Sequence, residues 1–364
     1  RASGHITEQI AMIQQILEAG MAYEVNGSVY FDVERYNREH RYGVLSGRVL
    51  EDLQTSTRDL EGQEDKRSPF DFALWKKAAP EHIMRWPSPW SEGFPGWHLE
   101  CSVMSSKYLG QVFDIHGGGM DLLFPHHECE LAQNTVTRGK DSVRYWMHNN
   151  LITINGQKMG KSLGNFITLE ELFSGKHPLL TQPFHPMTIR FFILQAHYRG
   201  PLDFSDNALV AASKGLKRLL KGHGIFKKIP VSDGVNASEM LQQTEQKIYR
   251  SLCDDLNTPV ALASLFDLVT WIHTAADTNK PISPQDRDLI ERIYERVVKG
   301  ILGLKEDTDG DRLPLIEGLI DMILEFRKQA RRDKNWTESD RIRDKLSELG
   351  VLIKDTKDST EWEI

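Results

Sequence analysis

Cys101, His126 and Glu130 offer a thiol, an imidazole and a carboxylate, each a competent zinc donor. His126 and Glu130 stand four residues apart, so on a helix they project from one face. Three protein donors with a fourth position open is the pattern of a working metal site rather than a structural one. The same residues have plainer readings. A single buried cysteine is usually a small hydrophobe, and His126-His127-Glu128 with Glu130 can be a solvated helix start. Spacing alone leaves both open. His98, His116, His126 and His127 also crowd one short stretch. Imidazoles titrate near neutral pH and suit metals or proton handling, with chance proximity and capping as the alternative.

A second group is suited to phosphate charge. Lys158-Met159-Gly160-Lys161-Ser162-Leu163-Gly164-Asn165 follows a segment of strand character. Its two lysines can bring point charges onto a polyphosphate and onto a departing pyrophosphate. A lysine pair on an exposed loop is also commonplace, and no G-x-x-x-x-G-K-[ST] run makes it a Walker loop.

These residues need elements to position them. Ile6, Ile10, Ile13 and Leu17 recur at helical spacing, with Gly20 as a stop. Asn26-Gly27 between β-prone runs predicts a hairpin. Residues 37 to 68 read as a polar surface excursion, and 86 to 97, dense in Trp, Pro and Gly, as an ordered loop. A helix is expected from Leu99 to about Tyr108. A buried strand should follow over Val112-Phe113-Asp114-Ile115-His116, ending at Gly117. A second helix is expected around Pro125 to Val136, and another strand over Trp146 to Ile154. Strand, glycine turn, helix and strand in that order predict an α/β domain with a parallel sheet.

Beyond about residue 187 the pattern is almost purely helical. Three stripes, Leu209/Leu216/Leu220, Leu262/Leu265/Phe266/Val269 and Leu315/Leu319/Ile323, predict a bundle. At the end, Thr337 and Asp340 are expected to form a variant capping box, Gly350 to stop the helix, and Val351-Leu352-Ile353 to form a strand.

With 364 residues, 40% hydrophobic and 27% charged, the chain has the length for two or three globular domains. No apolar stretch is expected to reach a membrane span. The start, Arg1 to Gln9, has neither an initiator Met nor an apolar signal core and reads as internal sequence, with a segment expected upstream. Three cysteines argue against a disulfide scaffold and for a reducing compartment. A net charge of −7 gives no global pull toward nucleic acid, though a local basic surface can still bind it.

Gly96-Trp97-His98-Leu99-Glu100-Cys101-Ser102, Phe113-Asp114-Ile115-His116-Gly117-Gly118-Gly119, Phe124-Pro125-His126-His127-Glu128 and the 158–165 loop together resemble the cysteinyl-tRNA synthetases in order and spacing. Asp254-Asp255-Leu256-Asn257-Thr258-Pro259 and Lys334-Asn335-Trp336 extend the resemblance over essentially the whole chain. It implies an α/β Rossmann-type class I catalytic domain (second half plus connective insertion), then an α-helical bundle and a small α+β C-terminal module. The implied division is 1–98 for the end of the first Rossmann half and the insertion, and 99–156 for the second half. The lysine-loop and stem-contact region follows at 157–205, the bundle at 206–305 and an anticodon-binding module at 306–364.

The activity implied is ATP-dependent ligation of L-cysteine to tRNA(Cys), in the cytoplasm, by a monomer with no membrane partner. One zinc ion per chain would be held by Cys101, His126 and Glu130, and Mg2+ would accompany ATP. The family's second zinc cysteine and its histidine-glycine-histidine signature lie in an N-terminal segment, and neither is present here. Trp97, His98 and His116 resemble the cysteine pocket. Gly119 and Asp121 resemble the ribose contacts, with Lys158 and Lys161 on the phosphates. Arg331, Trp336, Asp340 and Asp355 match anticodon-reading positions. Gly160 stands where the family's loop usually has serine, and Cys129 where it usually has asparagine. Cys129 falls on a different helix face from Glu130 and is not assigned to the metal. Rival readings are a ligase joining cysteine to an amino sugar, a catalytically inactive RNA-binding paralogue, and a zinc hydrolase, which would lack the second histidine of H-E-x-x-H.

Overall fold

The computed structural model describes residues 1–50, 63–233, 236, 238–305, 313–355 and 360–363. The middle of the polar excursion, the start of the C-terminal module and the side chains of Leu315, Leu352 and Asp355 lie outside the described residues. By their contacts the described parts form two units, Arg1–Met159 with His197–Phe204, and Gly160–Ala196 with Ser205–Ile364.

The first unit opens with α1 (Ile6–Glu18), whose Met12, Ile13 and Ile16 are buried while Ile6, Ile10 and Leu17 pack at the rim. Strands β1 (Ala22–Val25) and β2 (Ser28–Phe31) form the expected hairpin, with Ala22 opposite Phe31. Asn26 and Gly27 turn it at φ 53° and 82°, the left-handed pair that a tight β-turn demands. α2 (Val33–Glu39) starts at Asp32, which accepts the Arg35 N–H. β3 (Phe72–Lys77) and β4 (Gly93–Pro95) complete a four-stranded antiparallel meander. Fully buried Ile13, Phe31 and Leu74 centre its core, each contributing about 1.5–3 kcal/mol by burial. The Trp- and Pro-rich stretch is therefore not all loop, since β4 lies in it and α3 (Trp97–Leu109) begins at its end.

Next, β5 (Phe113–Gly119) runs through all three glycines rather than ending before them. A Cβ on Gly118 would sit 2.7 Å from the His127 ring, so only glycine lets the strand pass that close. The expected helix from Pro125 begins later. Phe124 is extended (φ −140°, ψ 130°), a π-type turn covers Leu123–His127, and the regular helix α4 is Glu128–Arg138. Proline lacks the N–H that a continuous ladder would use there. β6 (Val143–Asn149) pairs parallel to β5, Phe113 with Val143 through Gly119 with Asn149, which is the α/β unit expected.

The single strand expected over Trp146 to Ile154 is instead two in different sheets. β7 (Ile152–Ile154) pairs with β8 (Gln157–Lys158) across a turn with Asn155 at φ 50° and Gly156 at φ 76°.

The second unit contains α5 (Leu169–Ser174), held by a Thr168–Glu171 capping box, and α6 (Pro186–Leu194). β9 (Leu202–Phe204), which belongs to the first unit, interrupts the helical run in the sequence and pairs parallel with β7. The bundle follows with α7 (Asp206–Phe226), α8 (Glu239–Cys253), α9 (Thr258–Asp277) and α10 (Pro284–Arg292), the last continuing as a π-helix over Ile293–Ile301. Leu219 rather than Leu220 is fully buried on α7. α9 is long and apolar enough to cross a membrane by length and composition alone, contrary to expectation. Its Leu262, Leu265, Leu268, Val269 and Ile272 are buried instead, and it packs on α7 and α8.

In the C-terminal module, α11 (Leu313–Arg332) packs on α12 (Trp336–Glu348), with strands β10 (Leu352–Asp355) and β11 (Thr360–Glu363) antiparallel. Its core is Ile320, Leu346 and Val351 with Ile323 packed against it, while Leu319 is 45% exposed. Asn335, not Thr337, caps α12 by accepting the Glu338 N–H. Gly350 follows at φ 87°, as a helix stop should.

Candidate active site

The first unit gathers its chemistry where α3, β5, the turn before α4, and β6 meet. Cys101, His126 and Glu130 each present a donor atom within 4.8 Å of the others. His126 Nε2 lies 3.2 Å from Glu130 Oε1, the one-turn spacing of the sequence made into a contact. The solvated-helix-start alternative does not hold. His126, His127, Glu128, Cys129 and Glu130 are all buried. Burial of this many polar groups requires partners.

Those partners explain the local electrostatics. His116 Nε2 stands 3.2 Å from both Glu130 oxygens. Burial pushes Glu130 up, but hydrogen bonds from His116 and His126 outweigh it and hold the carboxyl below its ordinary value. Burial, then the charges of Glu130 and Glu100, raise the Cys101 thiol to about 11. His127 is lowered to about 4 by burial, and its Nδ1 lies 2.7 Å from His148 Nε2. Burial lowers His98 to about 3. Ser102 Oγ donates to Gln133 Oε1 at 2.7 Å, and Gln133 Nε2 meets His98 Nδ1 at 2.5 Å, so the amide donates and the ring keeps its proton on Nε2. Trp97, 64% exposed, lies over the His126 ring at 4.3 Å between centroids.

His116, His127 and Glu130 form a second overlapping donor set. The set with Cys101 has two features that the other lacks. It brings a sulfur, and His126 Nδ1 is buried without a hydrogen-bond partner. A buried polar atom left unpaired calls for an ion or water.

The remaining candidates are not members of these donor sets. Asp121 opens the turn after β5, its Oδ1 close against the Gly119 backbone. Lys158 ends β8 in the first unit, and Lys161 opens a short turn in the second, its Nζ 5.5 Å from the Phe166 ring centre. The division between the units thus falls inside the lysine loop. Gly160 donates its N–H to Asn165 Oδ1 at 2.9 Å. Trp336 is 58% exposed at the start of α12, Asp340 pairs with Arg343 at 3.6 Å, Arg331 sits in the last turn of α11, and Asp355 is opposite Thr360 on β10.

Sequence reasoning placed His127 in the histidine cluster but missed the roles of His148, Gln133 and Glu128. Gln133 was within reach, since 126, 130 and 133 share one helical face. Glu128 accepts the Gly43, Leu45 and Ser46 N–H groups at 3.0, 3.4 and 2.8 Å, an anchor with no spacing signal.

Residues 1–214 match the family model for the catalytic domain of class I (C) tRNA synthetases, 247–306 that for the DALR domain, and 314–362 that for the cysteinyl-tRNA ligase anticodon-binding domain. The chain is similar to the cysteine--tRNA ligase of Bacteroides fragilis, 55% identical over 100% of this chain and 74% of that protein. It is 53% identical to that of Porphyromonas gingivalis over 100% and 74%, and 45% identical to that of Chlorobaculum tepidum over 99% and 72%. Among solved structures, Mycobacterium tuberculosis methionyl-tRNA synthetase in complex with methionyl-adenylate aligns at TM-score 0.56 and 12% identity, over 82% of this chain and 73% of that one. A putative arginyl-tRNA synthetase of Campylobacter jejuni aligns at 0.52 and 12%, over 84% and 62%. At such identities these two speak for the fold alone.

Proposed function

We propose, from the premise that the chain belongs to the cysteine--tRNA ligase family, that it activates L-cysteine with ATP and joins it to the 3'-terminal adenosine of tRNA(Cys). The observation that carries this reading is the meeting of Cys101, His126 and Glu130 donor atoms within 4.8 Å, in a chain that also matches an anticodon-binding model. The sulfur, imidazole and carboxylate set, with the unpaired His126 Nδ1, fits zinc. A zinc ion bound there supplies a soft acceptor for the substrate sulfur, which a serine hydroxyl matches poorly.

The chain's own residues do the rest. His116 and His126 keep Glu130 ionised. Gln133 orients His98, whose Nε2–H becomes the donor of a pocket also lined by Trp97 and His116. Lys158 and Lys161 neutralise the ATP phosphates and the departing pyrophosphate, alongside Mg2+. Gly119 and Asp121 contact the ribose. Trp336 stacks on an unpaired anticodon base, while Arg331, Asp340 and Asp355 read base edges. The five-part division at 1–98, 99–156, 157–205, 206–305 and 306–364, a cytoplasmic location and a monomeric state belong to the same proposal. The amino-sugar ligase has less support, because such an enzyme needs no anticodon reader.

The test is charging of tRNA(Cys) with radiolabelled cysteine by the intact protein, with serine as competitor. Cysteine-selective charging is expected, and its absence would sink the reading. Cys101→Ser should also lose bound zinc, measured by elemental analysis, with far-UV circular dichroism unchanged. Full zinc content in that variant would remove Cys101 from the site.

A further inference from the structure

Glu128 stands between two of the metal-binding candidates, His126 and Glu130, yet belongs to neither donor set. Two residues along a helix amount to a rotation of about 200°, so from the first turn of α4 it faces away from Glu130. Its side chain is fully buried, and a buried carboxylate needs partners. Three backbone N–H groups of one loop supply them. Gly43 and Leu45 donate to Oε1 at 3.0 and 3.4 Å, and Ser46 donates to Oε2 at 2.8 Å. Hydrogen bonds to a charged acceptor are about twice as strong as neutral ones.

The same loop also holds the chain on the other side of His126. The Arg48 guanidinium lies over the Phe124 ring, 4.7 Å from its centre, and Tyr42 meets that ring edge-on at 6.3 Å between centroids. Tyr42 Oη stands 3.6 Å from Cys129 Sγ. The loop thus grips the turn both before and after His126, at Phe124 and at Glu128. It is itself fixed. The Tyr42 N–H donates to Asn37 Oδ1 on α2 at 2.9 Å. Gly43 has a φ of 92°, and a Cβ there would fall 2.0 Å from the Arg48 carbonyl oxygen, so only glycine lets the loop close.

We propose that Glu128 is a positioning residue of the metal site. By holding the 42–48 loop, it fixes the turn that carries His126 against the helix that carries Glu130, so the two donors keep their 3.2 Å contact. The proposal rests on the zinc reading above. Glu128 acts on the ion only through His126 and Glu130. Ligands already held in place need not be ordered when the metal arrives, and outer groups that orient them are worth about 10- to 100-fold in metal affinity.

The experiment measures zinc affinity of the intact protein by chelator competition, and site geometry by the visible absorption of its cobalt(II) form. Thermal unfolding of the metal-free protein is the folding control. Glu128→Gln keeps the size of the side chain but sets an amide NH2 against the loop donors. It should bind zinc about 10- to 100-fold more weakly, with altered cobalt bands. Arg48 is exposed, so Arg48→Gln should fold normally. Losing its contact with Phe124 should weaken zinc about two- to fivefold. If Glu128→Gln lowered only the unfolding temperature, with wild-type affinity and cobalt bands, Glu128 would be a structural tie; the proposal would fall and the zinc reading would stand. If Glu128→Gln did not fold, Arg48→Gln would decide, and wild-type affinity and bands in it would overturn the proposal. A wild-type protein that bound no zinc would overturn both.

Discussion

At Cys101, burial and two neighbouring carboxylates hold the thiol at about 11, so without metal it is protonated at neutral pH. Zinc takes up a thiolate, so binding must displace that proton. Loading the metal-free protein should therefore release about one proton per zinc, read with a pH indicator. Because the thiol's pKa lies above the working range, apparent zinc affinity should rise with pH, about tenfold per unit from this group. Zinc uptake with no proton release would remove Cys101 as a ligand. Burial holds the neighbouring His98 and His127 neutral, so neither adds a positive charge beside the site. The i, i+4 relation of His126 and Glu130 was legible from spacing, because one helix face is a local property. Glu128 was not, because its partners at Gly43, Leu45 and Ser46 are some eighty residues away in the chain.

Among the elements, the meander that supports the site depends on one buried carboxylate. Asp71, just before β3, is 2% exposed. It accepts from Tyr23 Oη at 2.6 Å, Val33 N–H at 3.0 Å and Ser68 N–H at 3.1 Å, tying together β1, the start of α2 and the approach to β3. Asp71→Ala leaves these buried donors unpaired and should destabilise the protein by about 2–4 kcal/mol in urea denaturation. A loss below about 0.5 kcal/mol would mean that water replaces the carboxylate and the tie is not structural. Element types were readable from period and turn chemistry, as at Asn26-Gly27. Element ends were not. β5 continues through its glycines because Gly118 must admit the His127 ring, and α4 starts late because the chain is extended at Phe124.

For the whole molecule, the metal-binding candidates and the anticodon candidates belong to different units, and the division runs through the lysine loop. Amino-acid activation and tRNA recognition should therefore separate under mutation. Trp336→Ala removes an exposed aromatic platform, and stacking on one is worth about 1–3 kcal/mol per base. The KM for tRNA(Cys) in charging should rise about 5- to 150-fold, while cysteine-dependent ATP–pyrophosphate exchange stays at the wild-type rate. An equal fall in exchange would make Trp336 a structural residue. α9 shows the opposite limit of local reading. Its composition alone admits a membrane span, and only its packing on α7 and α8 makes it a core helix.

Which side chains share a face, which turns need left-handed residues and the order of the motifs that carry the family were all readable along the chain. Each follows from spacing within a few residues, where helix and strand periods are set by the backbone. Packing between elements is what brings Cys101 on α3 to His126 and Glu130 at α4, adds His116 and Gln133 to their surroundings, and buries five consecutive polar and sulfur residues from His126 to Glu130. Those outcomes depend on how separate elements approach one another and on which distant groups neutralise a buried charge, and periodicity along one element carries no information about either.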